Sequence, residues 1–194
     1  FQMYMANMKS IFMDMIKNTD MVIFNRCKKE DPLPTYRRGI KVANQRAEVI
    51  FEDEEGELGD LFEDEMPFDI DAPVIDILPE DYGIWFVDAM DHPENYEGKT
   101  VKFKARVMKP RGMGSKFFVP GRTAMTCCAD DTTFLGYVCK SAYAPKLTPG
   151  EWVEVTAKVG IEKRNEYQGE EGIVLDAEHV EQCDPLEDEM VYFN

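Results

Sequence analysis

The pattern of hydrophobic and polar positions divides the chain into two parts. In residues 2–17 the apolar side chains recur three and four residues apart, the spacing of one face of an amphipathic helix; they are Met5, Met8, Ile11, Phe12, Met15 and Ile16. Residues 21–24 are continuously apolar and predict a strand buried on both faces. A short helix over 36–45, after two prolines that act as breaks, and a strand over 47–51 follow. This order predicts α/β layering with parallel strands.

From residue 100 onward the hydrophobic period changes to two. Residues 101–107 alternate apolar and basic side chains, as expected for a half-buried strand with a solvated basic face. Residues 82–87 are read as either a strand or the start of a helix, and Pro120–Gly121 as a turn or bulge. Similar patterns predict further strands at 116–119, 122–127, 134–139, 152–159 and 172–180. Five to six short strands within about 85 residues favour a closed antiparallel barrel with an OB-like fold.

An acidic tract separates the two parts. Residues 47–98 contain no Lys or Arg but hold 19 of the 38 carboxylates, a composition typical of a solvated linker. We therefore predict an α+β chain with three segments. These are an α/β remnant at 1–55, an acidic linker at 56–83 and the OB-like barrel at 84–194.

Charge and composition narrow the function classes. The chain has 194 residues and a formal net charge of -16, which repels nucleic-acid phosphates and anionic lipids. No apolar run is long enough for a membrane span, and the first residues do not resemble a signal peptide. The chain begins on Phe1, so we read it as a fragment or the product of a downstream start. Five cysteines, an odd number without disulfide-scaffold spacing, predict a reducing cytoplasm.

A cluster of thiols and carboxylates is the sharpest chemical feature. Thiolates bind zinc or copper(I), and carboxylates can complete a zinc site. Adjacent strand residues point to opposite faces, so Cys127 and Cys128 share a metal only if the chain turns there. The alternatives are buried structural thiols and a redox pair, including a strained vicinal disulfide. The candidate zinc ligands are Cys127, Cys128, Asp130, Asp131 and Cys139, which His179 and Cys183 could join.

Catalytic motifs do not accompany this cluster. The sequence contains no Gly-x-Ser-x-Gly, no His-Glu-x-x-His and no P-loop. His92 and His179 are the only imidazoles, and we interpret both as surface residues. We therefore expect no catalytic residue in this chain.

Two resemblances add to this picture. Three stretches within residues 84–194 resemble the soluble C-terminal domain of the YcgQ-like family of permease subunits; they are Phe118-Val119-Pro120-Gly121-Arg122, Met125-Thr126-Cys127-Cys128-Ala129-Asp130-Asp131 and Trp152-Val153-Glu154-Val155. This resemblance implies a link to membrane transport of a metal or another small solute. The chain departs from that family in having no transmembrane helices before the domain.

The N-terminal part resembles the end of a CobW-type GTPase domain, a family of P-loop metallochaperones. The resemblance rests on residues 18–26 and 42–49. It implies that Asn25 belongs to a guanine-recognition motif. That motif ends in Asp in the family, whereas Asn25-Arg26-Cys27-Lys28 stands here, so guanine specificity is not implied.

Three functional hypotheses follow. The first is a non-catalytic interaction module attached to a CobW-like GTPase and working with a protein partner such as a membrane permease. The second is a zinc-binding module built on Cys127 and Cys128. The third is an OB-type binder of single-stranded nucleic acid. Because helix 2–17 and strand 21–24 cannot bury both faces within so short a segment, we also expect a homodimer.

Overall fold

The computed structural model describes residues 7–28, 30–58, 66–128 and 131–192, except for the side chains of Cys127 and Cys128. The chain divides into two compact units. An N-terminal unit comprises residues 1–65, 124–133 and 192–194, and a barrel unit comprises 66–123 and 134–191. No helix in the described part of the chain is long and apolar enough to cross a membrane.

The N-terminal unit contains a parallel βαβ arrangement. Its elements are helix α1 (Lys9–Ile16), strand β1 (Met21–Phe24), helix α2 (Leu33–Ala43) and strand β2 (Glu48–Phe51). Strands β1 and β2 pair in parallel, with Met21 opposite Glu48. The predicted order and the parallel pairing are confirmed.

Two details of this unit differ from the sequence prediction. Helix α2 begins at Leu33 and carries Pro34 in its first turn, where a missing N–H costs nothing, so this proline lies within the helix and does not act as a break before it. Strand β1 is not buried on both faces, because Met21 is 44% and Ile23 is 52% exposed. Only its alternate residues, Val22 and Phe24, pack against the core.

The barrel unit carries one helix and most of the strands. Helix α3 (Tyr82–Asp91) follows strand β3 (Ile75–Asp76), which resolves the open reading of residues 82–87 in favour of a helix. The remaining strands are β4 (Thr100–Met108), β5 (Phe117–Cys128), β6 (Asp131–Gly136), β7 (Val138–Lys140), β8 (Trp152–Lys163), β9 (Glu171–Gln182) and β10 (Met190–Val191).

Five of these strands close into a barrel. Strand β5 pairs with β7, β7 pairs in parallel with β9, β9 pairs with β8, and β8 pairs with β4. Pairing of β4 with β5 then closes the ring. Numbered one to five along the chain, the strands follow the order 1-2-3-5-4-1. The predicted OB-like barrel is confirmed.

Strand β5 runs unbroken through Pro120–Gly121 and its pairing with β4 shows no register shift there, so the turn or bulge predicted at this position is wrong. Pro120 pairs with Val107 and Gly121 with Arg106. A Cβ on Gly121 would overlap the carbonyl oxygen of Leu135, and one on Gly136 would lie 2.7 Å from the Pro120 carbonyl oxygen. These glycines therefore allow two backbone segments to approach closely.

Aromatic side chains join helix α3 to the barrel. The Trp85 ring lies 4.9 Å from that of Phe103, and the Phe86 ring lies 4.7 Å from that of Tyr137, measured between centroids. The buried Tyr82 hydroxyl donates to the carbonyl oxygen of Leu135 at 3.0 Å. Because the buried hydroxyl has an acceptor, the ring adds apolar area without an unpaired polar atom.

Candidate binding cleft

The predicted metal ligands differ in whether the structure describes them, and the described ones differ in burial and in hydrogen bonding. The side chains of Cys127 and Cys128, and all of Asp130, lie outside the described residues. Asp131 accepts a hydrogen bond from Nζ of Lys17 at 2.9 Å. Cys139 is fully buried, and burial raises the pKa of its thiol, which favours the neutral form.

The two residues that could have joined this cluster lie in strand β9, which contains His179, and directly after it, where Cys183 follows. Burial raises the pKa of the half-buried Cys183, and His179 is exposed, with Nε2 3.4 Å from a carboxylate oxygen of Glu181. No three His, Cys, Asp or Glu side chains gather into a metal-binding group within the described ranges. The zinc site at Cys127 and Cys128 stays a prediction.

Asn25, assigned to guanine recognition by resemblance, is exposed at the carboxyl end of β1. Arg26 follows it with a positive φ of 57°. Nothing in the described structure tests a role in nucleotide binding, and that role also stays a prediction.

A buried arginine organises one end of the barrel unit. Arg122 is 2% exposed, and its guanidinium lies 5.7 Å from the centroid of the Tyr82 ring. It donates to three carbonyl oxygens: that of Pro79, and at 3.0 Å each those of Asp188 and Met190. Arg122 therefore ties the segments before α3 and around β10 to strand β5.

An open cleft of about 510 Å³ lies between two barrel loops, β4–β5 and β8–β9. This volume falls within the range of small-ligand sites. In OB-like barrels these two loops, between strands one and two and between strands four and five, commonly bind ligands. The lining residues are Pro110, Arg111, Gly112, Met113, Lys163, Arg164, Asn165 and Glu166.

Arg164 is the fixed cation of this cleft. Its Nε and Nη2 donate to the two carboxylate oxygens of Glu166 at 3.2 and 3.0 Å. Its guanidinium carbon lies 4.3 Å from the centroid of the Phe117 ring, and Nη1 lies 3.5 Å from a carboxylate oxygen of Glu162. The hydrogen bond to Glu166 raises the pKa of Arg164 and lowers that of Glu166.

The other cations around the cleft differ in whether they have partners. Arg111 and Lys163 are exposed, and neither forms an ion pair with a residue of the described ranges. Lys109 instead donates to the carbonyl oxygens of Ala144 and Leu147 at 2.6 Å each. The cleft thus presents one pre-oriented guanidinium and two exposed cations that form no ion pair within the described ranges.

Sequence reasoning missed this cleft. The basic face predicted on residues 101–107 lies outside the cleft lining, and the hydrophobic periodicity gives no signal at Lys163 and Arg164. The predicted OB-like fold could have indicated the cleft, because the loops after the first and fourth strands commonly bind ligands in that fold.

Comparison with solved structures gives weak likenesses. A mitochondrial single-stranded DNA-binding protein from S. cerevisiae, Rim1, is 10% identical, with 45% of this chain and 97% of that chain covered and a TM-score of 0.27. The aspartyl-tRNA synthetase of Entamoeba histolytica is 15% identical, with coverages of 59% and 26% and a TM-score of 0.31. The chain thus spans about a quarter of that synthetase.

No curated protein matches the chain by sequence. The family described as the DUF1980 C-terminal domain matches residues 59–193. This range covers the whole barrel and agrees with the resemblance to the YcgQ-like C-terminal domain. The chain belongs to the DUF1980 C-terminal domain family.

Proposed function

We propose that this chain is a non-catalytic binding module whose barrel unit takes a protein partner in the cleft between the β4–β5 and β8–β9 loops. The observation that carries the proposal is the combination of an open cleft with a fixed guanidinium and two cations without described partners. Arginine and lysine side chains bind carboxylates. Their concentration in the cleft is a local region of positive charge in a chain of net charge -16.

Single-stranded nucleic acid fits the cleft less well. Binders of this class stack bases on aromatic rings, and the cleft lining contains none. The nearby Phe117 ring is covered by the guanidinium of Arg164. The overall negative charge also opposes a polyphosphate chain.

The partner that we propose is the membrane permease implied by the YcgQ-like resemblance. In the N-terminal unit, the parallel β1–α2–β2 arrangement supports the second part of the hypothesis, a remnant of a CobW-like GTPase domain. Under this proposal the chain links a nucleotide-dependent protein to a transporter and performs no chemistry itself.

Affinity capture from detergent-solubilised membranes of the source cells tests the proposal. The wild-type chain and an Arg111→Glu/Lys163→Glu variant serve as baits, with Lys158→Glu, an exposed lysine on β8, as the matched charge control. A permease subunit recovered by wild type and control, and lost with the cleft variant, is the expected result. Equal recovery by all three baits would place the interaction elsewhere. One zinc per purified chain, or salt-sensitive retention on single-stranded DNA, would instead favour one of the other two functions.

A further inference from the structure

We propose that Glu166 is a built-in occupant of the cleft, and that an acidic peptide segment of the partner binds by replacing the Glu166 carboxylate on Arg164. The inference rests on the proposed function and names the chemistry that the cleft recognises. No covalent step is involved, because one charge-assisted hydrogen-bonded pair is exchanged for another.

The geometry of the Arg164–Glu166 pair is that of ligand recognition. Two guanidinium nitrogens face two carboxylate oxygens at 3.2 and 3.0 Å, which is the bidentate arrangement in which arginine binds carboxylates. Both residues belong to one loop and to the cleft lining. Glu166 therefore already occupies the position that a ligand carboxylate would take.

Arg164 has supports that remain when Glu166 leaves. The Phe117 ring lies under its guanidinium, and Glu162 contacts the remaining nitrogen. Its side chain is only 16% exposed, whereas that of Glu166 is 30% exposed. Phe117 and Glu162 thus hold the guanidinium in place, and Glu166 is the more accessible member of the Arg164–Glu166 pair.

Arg111 and Lys163 favour an incoming acidic ligand over the internal carboxylate of Glu166. Glu166 is the only carboxylate among the residues that line the cleft, against three cations. A peptide with several carboxylates can place one on Arg164 and others beside Arg111 and Lys163, which Glu166 alone cannot do. An extended acidic peptide therefore gains interactions that the internal pair lacks. The partner chemistry is an acidic segment rather than an oligonucleotide, because no ring in the lining can stack with a base.

Fluorescence anisotropy with the full chain tests this exchange. The probe is a fluorescein-labelled penta-glutamate peptide at low ionic strength, with a penta-glutamine peptide as the uncharged control. Glu166→Gln removes the competing carboxylate and is expected to tighten binding of penta-glutamate roughly two- to fivefold, the size of one partly exposed ion pair. Glu170→Gln, in the same loop but outside the lining, is the matched control and should leave the affinity close to that of wild type. Arg111→Gln/Lys163→Gln should weaken binding at least as strongly as Glu166→Gln strengthens it.

The outcomes separate the inference from the proposed function. Equal affinities of the wild type, Glu166→Gln and Glu170→Gln for penta-glutamate would overturn the exchange, even if the permease is still captured through the cleft. Tighter binding of an oligothymidine than of penta-glutamate would overturn the choice of an acidic peptide. If Glu166→Gln tightens binding while membrane capture is unaffected by charge reversal of the cleft, the exchange stands and the proposed permease function fails.

Discussion

At the scale of single residues, Arg122 shows how backbone carbonyl groups can hold a buried guanidinium. Its Nη1 and Nη2 donate to carbonyl oxygens from two separate segments of the barrel unit, with a tyrosine ring alongside, while its buried Nε has no hydrogen-bond partner among the described residues. Burial lowers the pKa of Arg122, and guanidinium remains charged at neutral pH because its ordinary pKa is so high. The fork geometry, and not the charge alone, fits the site.

Replacing Arg122 by Lys should therefore destabilise the barrel by about 2–4 kcal/mol, because a single ammonium cannot reach all three carbonyl groups. Urea unfolding followed by tryptophan fluorescence measures this, since Trp85 and Trp152 are both buried in the barrel unit. Arg111→Lys, on the exposed cleft rim, is the control and should be near neutral. An Arg122→Lys variant as stable as the wild type would show that the three hydrogen bonds of the guanidinium do not stabilise the barrel.

Cys139 gives a pH dependence with a definite sign. Its folded pKa is raised by burial, so above the ordinary thiol pKa of about 8.5 the unfolded chain loses a proton that the folded chain keeps. Stability is therefore fully present below that pH and falls as the pH rises above it. Unfolding free energies measured from pH 7.5 to 9.5 should decline less steeply in Cys139→Ala than in the wild type. Parallel profiles would show that this thiol does not contribute.

At the scale of elements, the alternation of strand β4 and the parallel order of the N-terminal unit were readable from the sequence because each depends on side-chain periodicity. Pro120–Gly121 was not, because a Pro-Gly pair usually indicates a turn. Gly121 instead allows the backbone at Leu135 to approach closely. Periodicity does not reveal such an approach, because it depends on a segment elsewhere in the sequence. The cleft was missed for the same kind of reason, since Arg111 and Arg164 are 53 positions apart and meet only through the barrel topology.

Gly121→Ala and Gly136→Ala should each destabilise the barrel by about 2 kcal/mol or more, because a Cβ at either position overlaps a backbone carbonyl group. Gly160→Ala is the matched control in strand β8, where a Cβ would lie 3.7 Å from the Val174 carbonyl oxygen, an ordinary contact. Urea midpoints of the three variants test the distinction. If Gly121→Ala were as stable as Gly160→Ala, the close approach would not constrain the sequence.

At the scale of the whole molecule, the homodimer expected from the sequence stays a prediction. Helix α1 buries Met13 and Ile16 but leaves Ile11 57% and Met15 70% exposed. If these side chains contribute to self-association, Ile11→Gln/Met15→Gln should lower the weight-average mass in light scattering at micromolar concentration. A wild-type chain that is already monomeric under these conditions would contradict the dimer.

The proposed function makes the cleft the working surface of the molecule. Family membership covers the barrel that builds it. Charge is also distributed unevenly: half of the carboxylates fall in residues 47–98, while Arg111, Lys163 and Arg164 converge at two loops.

Hydrogen–deuterium exchange of the chain, alone and in complex with the captured permease subunit, shows whether the partner binds in the cleft. Partner binding is expected to slow exchange in residues 109–116 and 164–170, the two loops that form the cleft. Unchanged exchange in both loops, with protection confined to other surfaces, would contradict binding in the cleft.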